Sequence, residues 1–468
     1  MERPTTRWAL VAVAVAMAVP LLWPGDVPFI HDEPKLMVLA VDANAAGRLA
    51  PLGLLGTFGF TYGPLPVWLY QGLLATTRDL VSVAFAHTAV LSVITGAALW
   101  MLARALGLWA GFAAVPLLTP YFWFYARVLW DNTLLLPLAA LAYAGYAAFL
   151  ARGSATGLRM AALAVLAVPL VHLMGLSLVV PLVLHALVVK FHEVRRHAVS
   201  LAAIGLAMAW LAWPYWRYLA GPRPDVPGSP VSVLGWIFPL AGARLLGSQG
   251  LDYFYGAATV DGPVFAATGW LSIVPYLLVW GGIVVAIAMT RQARRTSTWT
   301  PRAHMASIAV ASLAMQSVVH GLSGKFEHPH YQNGTWIATV LLAWLALDAL
   351  ASRASTRRLA VAVTALVLAT NAAALSTLAW RIHDGHGVRN DLYGPSLAEQ
   401  QVVARILAPL SPDSPLDTRV DLWIRFPDTL ATLRALQPVP AGERPRANVV
   451  LDYASTDPRR ADVRVIVR

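Results

Sequence analysis

The fold is decided by residues 31–71, HDEPKLMVLAVDANAAGRLAPLGLLGTFGFTYGPLPVWLYQ. This stretch opens with the acidic pair Asp32-Glu33, directly after the first apolar run of the chain, and it ends on a Tyr62-Gly-Pro-Leu-Pro turn. Two carboxylates at the edge of a hydrocarbon layer are costly unless they are solvated or paired, and a membrane protein that keeps them there usually uses them. We therefore predict that the pair is functional and that Asp32 is a catalytic base.

Composition indicates a membrane protein. The chain has 468 residues, of which 58% are hydrophobic and 13% are charged, with a mean hydropathy of +0.60. Soluble proteins carry about 25% charged residues. There is no cysteine, which excludes disulfide frameworks and thiolate metal sites.

The first apolar run covers residues 8–23 and follows Arg3 and Arg7. Pro24-Gly-Asp comes after it, instead of the small residues of a signal-peptide cleavage site. We therefore interpret it as an uncleaved first span.

Further apolar runs are long enough to cross a bilayer. They cover residues 82–103, 107–126, 132–150, 198–219, 269–290, 303–321, 334–351 and 358–380. The run 159–190 is too long for one span, and we interpret it as two short helices that meet at a tight turn around His172 and Gly175. The fold class is thus mainly α, a polytopic transmembrane domain of about eleven spans.

The basic residues set the orientation, because cytoplasmic loops are enriched in Lys and Arg. One side carries Arg3, Arg7, Arg104, Arg152, Arg159, Lys190, Arg195, Arg196, Arg291, Arg294, Arg295, Arg302, Arg353, Arg357 and Arg358. The net charge of +11 is therefore a topology signal, and nucleic acid is not an expected partner. The opposite, extracytoplasmic side carries Asp32, Glu33, Arg127, Asp131, Asp252, Asp261, Lys325, Glu327, His328 and His330.

The first outer loop is too apolar to be free in water. Residues 36–41 and 67–74 are predicted to form short helices at the membrane interface. Pro64 and Pro66 fit the first turn of the second helix, where a missing N–H donor costs nothing.

The composition becomes polar after Trp380, so we divide the chain into a transmembrane domain, 1–380, and a small C-terminal domain, 381–468. Ser396 and Glu399 have the spacing of a helix capping box. The runs 418–426, 448–453 and 462–467 resemble strands. We predict a small α/β domain on the extracytoplasmic side that depends on the membrane part for its core.

The ordered set of motifs resembles the GT-C class of membrane glycosyltransferases, in particular the protein O-mannosyltransferases and the lipid A aminoarabinose transferases. The set consists of a first span, an outer loop that starts with Asp-Glu, interfacial helices and the Tyr62-Gly-Pro-Leu-Pro turn. RVLWDNTLLLP at 127–137 is similar to the second outer loop of that class, and HPHY at 328–331 to its late outer motif. The chain departs from the class by carrying His328 and His330 where Arg or Lys is expected.

The resemblance implies an integral enzyme of the cytoplasmic (inner) membrane that builds the cell envelope. It would move a sugar from a polyprenyl-phosphate donor to an acceptor hydroxyl outside the membrane. Such transfer needs a base for the hydroxyl and preorganised cations for the departing phosphate. One carboxylate acting in line predicts inversion at the anomeric carbon. The implied residues are Asp32 and Glu33 for catalysis, Lys35, Arg127, Lys325, His328 and His330 for the donor phosphate, and Tyr62, Asp131 and Tyr331 for substrate.

Several of these residues also have structural interpretations. Asp32 and Glu33 fit a helix N-terminus, where acids are favoured, and Lys35 fits a side chain that reaches the lipid headgroups. Arg127 and Asp131 have the i,i+4 spacing of a helical ion pair. His172 fits a hydrogen-bonded interior residue.

No cofactor is certain from the sequence. His328 and His330, completed by Glu327 or His31, are also a pattern that binds a divalent metal.

The main alternative function is a transporter or flippase of lipid-linked sugars, because broken helices such as 159–190 are typical of transporters. A transporter should place ionisable residues near the middle of its spans, whereas here they gather at the ends. A non-catalytic scaffold or receptor would not need the acidic pair.

Overall fold

A computed structural model describes residues 6–56, 60–221, 242–323, 328–390, 392–418, 426–436 and 444–468. The chain is mainly helical, as predicted. The first half forms α1 Thr6–Ala18, α2 Glu33–Ala45, α3 Leu65–Leu74, α4 Leu80–Ala105, α5 Ala114–Leu117, α6 Pro120–Arg127, α7 Leu135–Arg152, α8 Ala155–Ala167, α9 Leu176–Leu184, α10 Phe191–Val194, α11 Ala198–Leu211 and α12 Trp213–Ala220.

The second half continues with longer helices and ends in short strands. Its helices are α13 Asp252–Thr259, α14 Pro263–Leu271, α15 Ile273–Thr296, α16 Pro301–Ser323, α17 Trp336–Ala351, α18 Arg357–Asp384, α19 Leu397–Leu407 and α20 Phe426–Leu436. Its strands are β1 Gly387–Val388, β2 Gly394–Pro395, β3 Leu416–Thr418, β4 Val449–Tyr453 and β5 Val463–Val467.

Fewer helices than the predicted eleven are long and apolar enough to cross a membrane. In the described part of the chain, four are long and apolar enough: Leu80–Ala105, Asn132–Arg152, Pro263–Thr296 and Arg357–Asp384. A fifth is counted if Leu173–Val189 and Phe191–Leu211, which meet at 89°, form one broken span. Arg7–Leu21, Ala155–Leu170 and Trp336–Ala351 are shorter apolar helices. The eleven-span count is therefore not confirmed.

The predicted span 107–126 is broken into short pieces. Gly107 has a left-handed φ of 63°, and a 3₁₀ turn over Ala110–Ala113 precedes α5. Pro120 then starts α6 after Thr119, whose hydroxyl accepts a hydrogen bond from the amide of Phe122. Proline removes one helical donor and restricts the residue before it, so an apolar run with this punctuation does not stay one straight helix.

The two predicted helices of the first outer loop are confirmed, as α2 and α3. Proline stands in the first turn of each, at Pro34 and Pro66. The run 159–190 also divides as predicted, because α8 and α9 are separated by 3₁₀ turns on either side of His172.

The C-terminal segment contains the predicted mixture of helix and strand. β3 and β4 pair in parallel, and β4 and β5 pair antiparallel. Of the predicted strand 418–426, residues 419–425 lie outside the described residues. The Ser396 hydroxyl caps α19 by accepting from the amide of Glu399 at 3.3 Å, but the Glu399 carboxylate accepts from the amide of Val463 instead of closing the capping box.

This segment shares a hydrophobic core with the first outer loop. Leu397, Leu407 and Leu430 belong to the same buried cluster as Leu36 and Val67. The core thus joins α19 and α20 to α2 and α3, in agreement with the expectation that the segment depends on the membrane part for its core.

Candidate active site

Asp32 lies immediately before α2, where the chain turns into the helix. Its Oδ1 is 3.0 Å from Nζ of Lys35, and its Oδ2 accepts a hydrogen bond from the indole N–H of Trp130 at 3.3 Å. The side chain is 32% exposed, so it is accessible to solutes while two neighbours orient it. Asp32 occupies the N-cap position of α2 and Glu33 lies in its first turn, as the helix N-terminus interpretation expects, but the Asp32 side chain makes no capping hydrogen bond to the described residues of this turn.

Glu33 points into the protein instead. Its carboxylate accepts a hydrogen bond from the amide of His31 at 2.9 Å, and the side chain is buried. Burial raises the pKa of Glu33 above its usual range, an effect that the nearby His31 partly offsets. These contacts hold the turn that presents Asp32.

Arg127 secures the chain just before this turn. It is fully buried, and its Nη2 donates to the carbonyl oxygens of Trp23 at 2.6 Å and of Asp26 at 3.0 Å. The guanidinium also lies 4.0 Å above the ring of Trp123. The expected ion pair between Arg127 and Asp131 is not formed: α6 ends at Arg127, and Val128 has an extended backbone, so the helical i,i+4 geometry is lost.

Replacing Arg127 should therefore cost stability. Arg127→Met removes two hydrogen bonds from a charged donor, each worth about 1.5–3 kcal/mol, although the carbonyl of Trp23 keeps the amide of Asp26 as a donor and the carbonyl of Asp26 keeps the hydroxyl of Tyr393. We expect the free energy of unfolding, measured by denaturant titration in detergent micelles, to fall by about 2–3 kcal/mol. Arg78→Met, which changes an exposed arginine, is the matched control and should be neutral. Equal stability of the two variants would contradict this role for Arg127.

Asp131 is the second carboxyl group of the site. It is buried, its Oδ1 accepts from the amide of Asn132 at 2.7 Å, and its Oδ2 has no hydrogen-bond partner among the residues that the structure describes. Burial raises the pKa of Asp131 to about 8, and the negative charge of Asp32 adds to the effect. Asp131 is therefore mostly neutral at pH 7, when its carboxyl can donate a hydrogen bond.

A turn between α16 and α17 supplies histidines to the same place. The hydroxyl of Tyr253 is 2.6 Å from Nδ1 of His328, and the His328 and His330 rings lie parallel at 5.3 Å. His330 in turn packs on Trp130 at 4.6 Å, the residue that contacts Asp32. Lys325, the other cation predicted here, lies outside the described residues.

Aromatic side chains complete one wall of the site, which is formed by Trp130, His330 and Tyr331. The ring centroids of Tyr62 and His172 are 4.2 Å apart, and those of His172 and Tyr331 are 5.7 Å apart. Burial raises the pKa values of Tyr62 and Tyr331, and the charges of Asp131 and Asp32 raise them further. His172, which was interpreted as an interior residue, thus lies between two predicted substrate-binding tyrosines.

One cation of the site was missed from the sequence. Arg244 interacts electrostatically with the phenol groups of Tyr121, Tyr125 and Tyr253. Its Nε atom is buried without a hydrogen-bond partner, and no carboxylate pairs with it, in the part of the chain that the structure describes. Arg244 lies against Gly250, whose φ of 73° and missing Cβ allow this close approach.

A groove of about 780 Å³ lies beside the turn that carries Asp32, although Asp32 itself is not among its lining residues. It runs along α2, the chain segment after α2, and α20, and its wall is mostly apolar. Its lining includes His31, Lys35, Leu39, Leu52, Leu54 and Thr432. The turn that carries Asp32 thus borders this groove through His31 and Lys35, and Asp32 contacts Trp130 of the wall formed by Trp130, His330 and Tyr331.

Glu327, one of the two residues that could complete the predicted metal site, lies outside the described residues. Among the described residues, no three His, Asp or Glu side chains lie close enough together to hold a metal ion. His328 is instead hydrogen-bonded to Tyr253, and both histidines of the turn are engaged in ring contacts.

No protein-family model matches this chain, and a search of curated proteins finds no match. Among solved structures, the crystal structure of ArnT from Cupriavidus metallidurans bound to undecaprenyl phosphate is similar, with a TM-score of 0.52 and 16% sequence identity. The similarity covers 99% of this chain and 98% of that one. The resemblance to a GT-C lipid A aminoarabinose transferase is therefore confirmed at the level of the fold, over nearly the whole chain.

Proposed function

We propose that the chain is a membrane glycosyltransferase that moves a sugar from a polyprenyl-phosphate donor to an acceptor hydroxyl on the extracytoplasmic side. The observation that carries the proposal is the position of Asp32, an accessible carboxylate that contacts Trp130 of the aromatic and histidine wall and whose neighbours His31 and Lys35 line an open groove. The neighbour ArnT, which was crystallised with undecaprenyl phosphate, supports a lipid-linked donor.

The donor phosphate is assigned to the wall side. Arg244 is a half-buried arginine whose Nε is buried without a hydrogen-bond partner and which pairs with no carboxylate among the described residues, and a desolvated cation of this kind favours an anionic ligand. His328 and His330 lie along the same wall and connect through Trp130 to Asp32. Lys325 remains a proposed phosphate contact, whereas Lys35 lines the groove and pairs with Asp32, which argues against its predicted phosphate role. Arg127 is assigned to holding the loop, because backbone carbonyls already occupy it.

The acceptor is assigned to the groove side. Asp32 takes the proton of the acceptor hydroxyl as the oxygen attacks the anomeric carbon, and the phosphate leaves toward Arg244 with the bonding electron pair. Attack and departure on opposite sides give inversion. Retention would require a second, ionised carboxylate as nucleophile, and Asp131 is mostly neutral at pH 7. Its carboxyl is better suited to hydrogen-bond the sugar, together with Tyr62 and Tyr331.

The raised pKa of Asp131 predicts how the stability of the protein changes with pH. A carboxyl in an unfolded chain has a pKa of about 3.9. Because the folded pKa is about 8, ionisation favours the unfolded state, and the contribution of Asp131 to stability is lost as the pH rises from 4 to 8. Asp131→Asn should remove this loss. We expect the variant to gain thermal stability over the wild type as the pH increases from 5 to 9, measured in one detergent. Parallel pH profiles of the two proteins would contradict the assignment.

The transfer assay tests the function itself. The purified protein, reconstituted in lipid vesicles, is incubated with a panel of radiolabelled polyprenyl-phosphate sugars and hydroxyl acceptors. We expect release of polyprenyl phosphate and a product with inverted anomeric configuration. Movement of the intact donor between leaflets without cleavage would instead support the alternative of a lipid-linked sugar flippase.

A further inference from the structure

Two loops that carry site residues are joined by a pair of buried asparagines. Nδ2 of Asn333 donates to Oδ1 of Asn132 at 3.1 Å and to its backbone carbonyl at 3.3 Å. Asn333 is 0% exposed and Asn132 is 2% exposed. The two residues are 201 positions apart in the chain, so this contact spans the site and does not serve local structure.

Each asparagine adjoins a group that the proposed reaction uses. The amide of Asn132 donates to Oδ1 of Asp131 at 2.7 Å. Asn333 ends the turn that presents His330 and Tyr331, and its own amide donates to the carbonyl of His330 at 3.2 Å. The asparagine pair thus connects the carboxyl group on one loop to the aromatic turn on the other.

The turn itself has further attachments. The side-chain amide of Gln316 donates to the carbonyl of Tyr331 at 3.4 Å, and Thr335 donates to the same glutamine side chain. The hydroxyl of Tyr121 lies 2.9 Å from the carbonyl oxygen of Pro329 and 2.8 Å from Oδ1 of Asn333. Loss of the Asn333 side-chain amide should therefore leave the turn in place and release mainly the loop that carries Asp131.

We propose that Asn333 is a positioning residue, which holds Asp131 in register with the turn of His330 and Tyr331 through its two hydrogen bonds to Asn132. That this relative position of the two loops serves catalysis rests on the proposed function. Groups that react together must be held within about half an ångström of the productive geometry, and buried hydrogen bonds behind them supply that rigidity. If the two loops shifted relative to each other, one donor molecule could not receive the sugar contact from Asp131 and the phosphate contacts from the wall at the same time.

The test uses two substitutions, one on each side of the pair. Asn333→Asp keeps the shape and the acceptor for Tyr121, but it places oxygen against the two Asn132 oxygens. Asn132→Ala removes the side-chain acceptor, the shorter of the two contacts, and leaves the backbone carbonyl in place. It serves as the second variant if the first does not fold. Tyr143→Phe is the matched control, because it removes a buried hydrogen bond to Ser312 at 3.0 Å between other helices.

Two readouts separate positioning from a merely structural role. Hydrogen exchange followed by mass spectrometry should speed up at least tenfold in peptides covering 128–134 in both variants and stay unchanged in the control. The kcat of transfer should fall at least tenfold, whereas the affinity for undecaprenyl phosphate should change less than threefold. Unchanged exchange at 128–134, or equal losses of kcat and affinity, would overturn the inference. Faster exchange together with no transfer by the wild type would instead count against the proposed function alone.

Discussion

Asp32→Asn is expected to lower the rate of sugar transfer by roughly 100- to 10,000-fold, which is the usual contribution of a general base. The amide has nearly the same shape as the carboxylate and can still meet Trp130, but it cannot accept the proton of the acceptor hydroxyl. Because Asp32 is 32% exposed and makes no capping hydrogen bond in its turn, the fold should not depend on its charge. The measurement is kcat of the purified variant in lipid vesicles.

A measurement of donor binding by Asp32→Asn shows whether the substitution impairs catalysis or substrate recognition. Undecaprenyl phosphate should bind with an affinity within about threefold of the wild type, since removing a negative charge does not weaken an anion site. Asp413→Asn, an exposed carboxylate of the C-terminal segment, is the control and should keep full activity. Wild-type transfer by Asp32→Asn would exclude Asp32 as the base. Complete loss of donor binding would show that the residue holds the substrate instead.

The parts of the fold that the sequence predicted well are those with local signals. Pro34 and Pro66 mark the first turns of α2 and α3, and these helices lie where the apolar pattern placed them. The number of spans was overestimated because hydropathy reports which residues avoid water and not whether a run stays one helix. The run 107–126 is an apolar run like its neighbours, but a 3₁₀ turn over Ala110–Ala113 and a new helix start at Pro120 divide it.

In the candidate site too, the sequence identified residues with a local signal and missed those that only the fold brings together. Asp32 and the turn at 328–331 were found because acidic and basic residues in an apolar chain are conspicuous. Arg244 was missed because it belongs to no sequence motif, and its importance depends on Tyr121 and Tyr253, which only the folded chain brings near it. Sequence spacing suggested that Arg127 pairs with Asp131, but the end of α6 sends the two side chains to different partners.

Arg244→Gln is expected to weaken the binding of undecaprenyl phosphate by about 10- to 100-fold. A hydrogen bond to a charged group contributes about 1.5–3 kcal/mol, and each 1.4 kcal/mol is about a factor of ten in affinity. Glutamine keeps a polar side chain of similar reach, so the change mainly removes charge. The loss should be largest at low ionic strength, where the attraction between guanidinium and phosphate is least screened.

Two further variants determine whether the effect belongs to the charge of Arg244. Arg244→Lys keeps the charge but not the planar pair of donors, so it should recover part of the affinity. Arg381→Gln is the matched control, because Arg381 fastens the neighbouring loop by donating to the carbonyls of Thr259 and Asp261 at 2.6 Å each. If Arg381→Gln weakened binding as much as Arg244→Gln, the loss would come from the loop and not from a phosphate contact. A selective loss at Arg244 would place the departing phosphate on the wall side, so that the anomeric carbon would lie between this phosphate and the acceptor hydroxyl held by Asp32, as inversion requires.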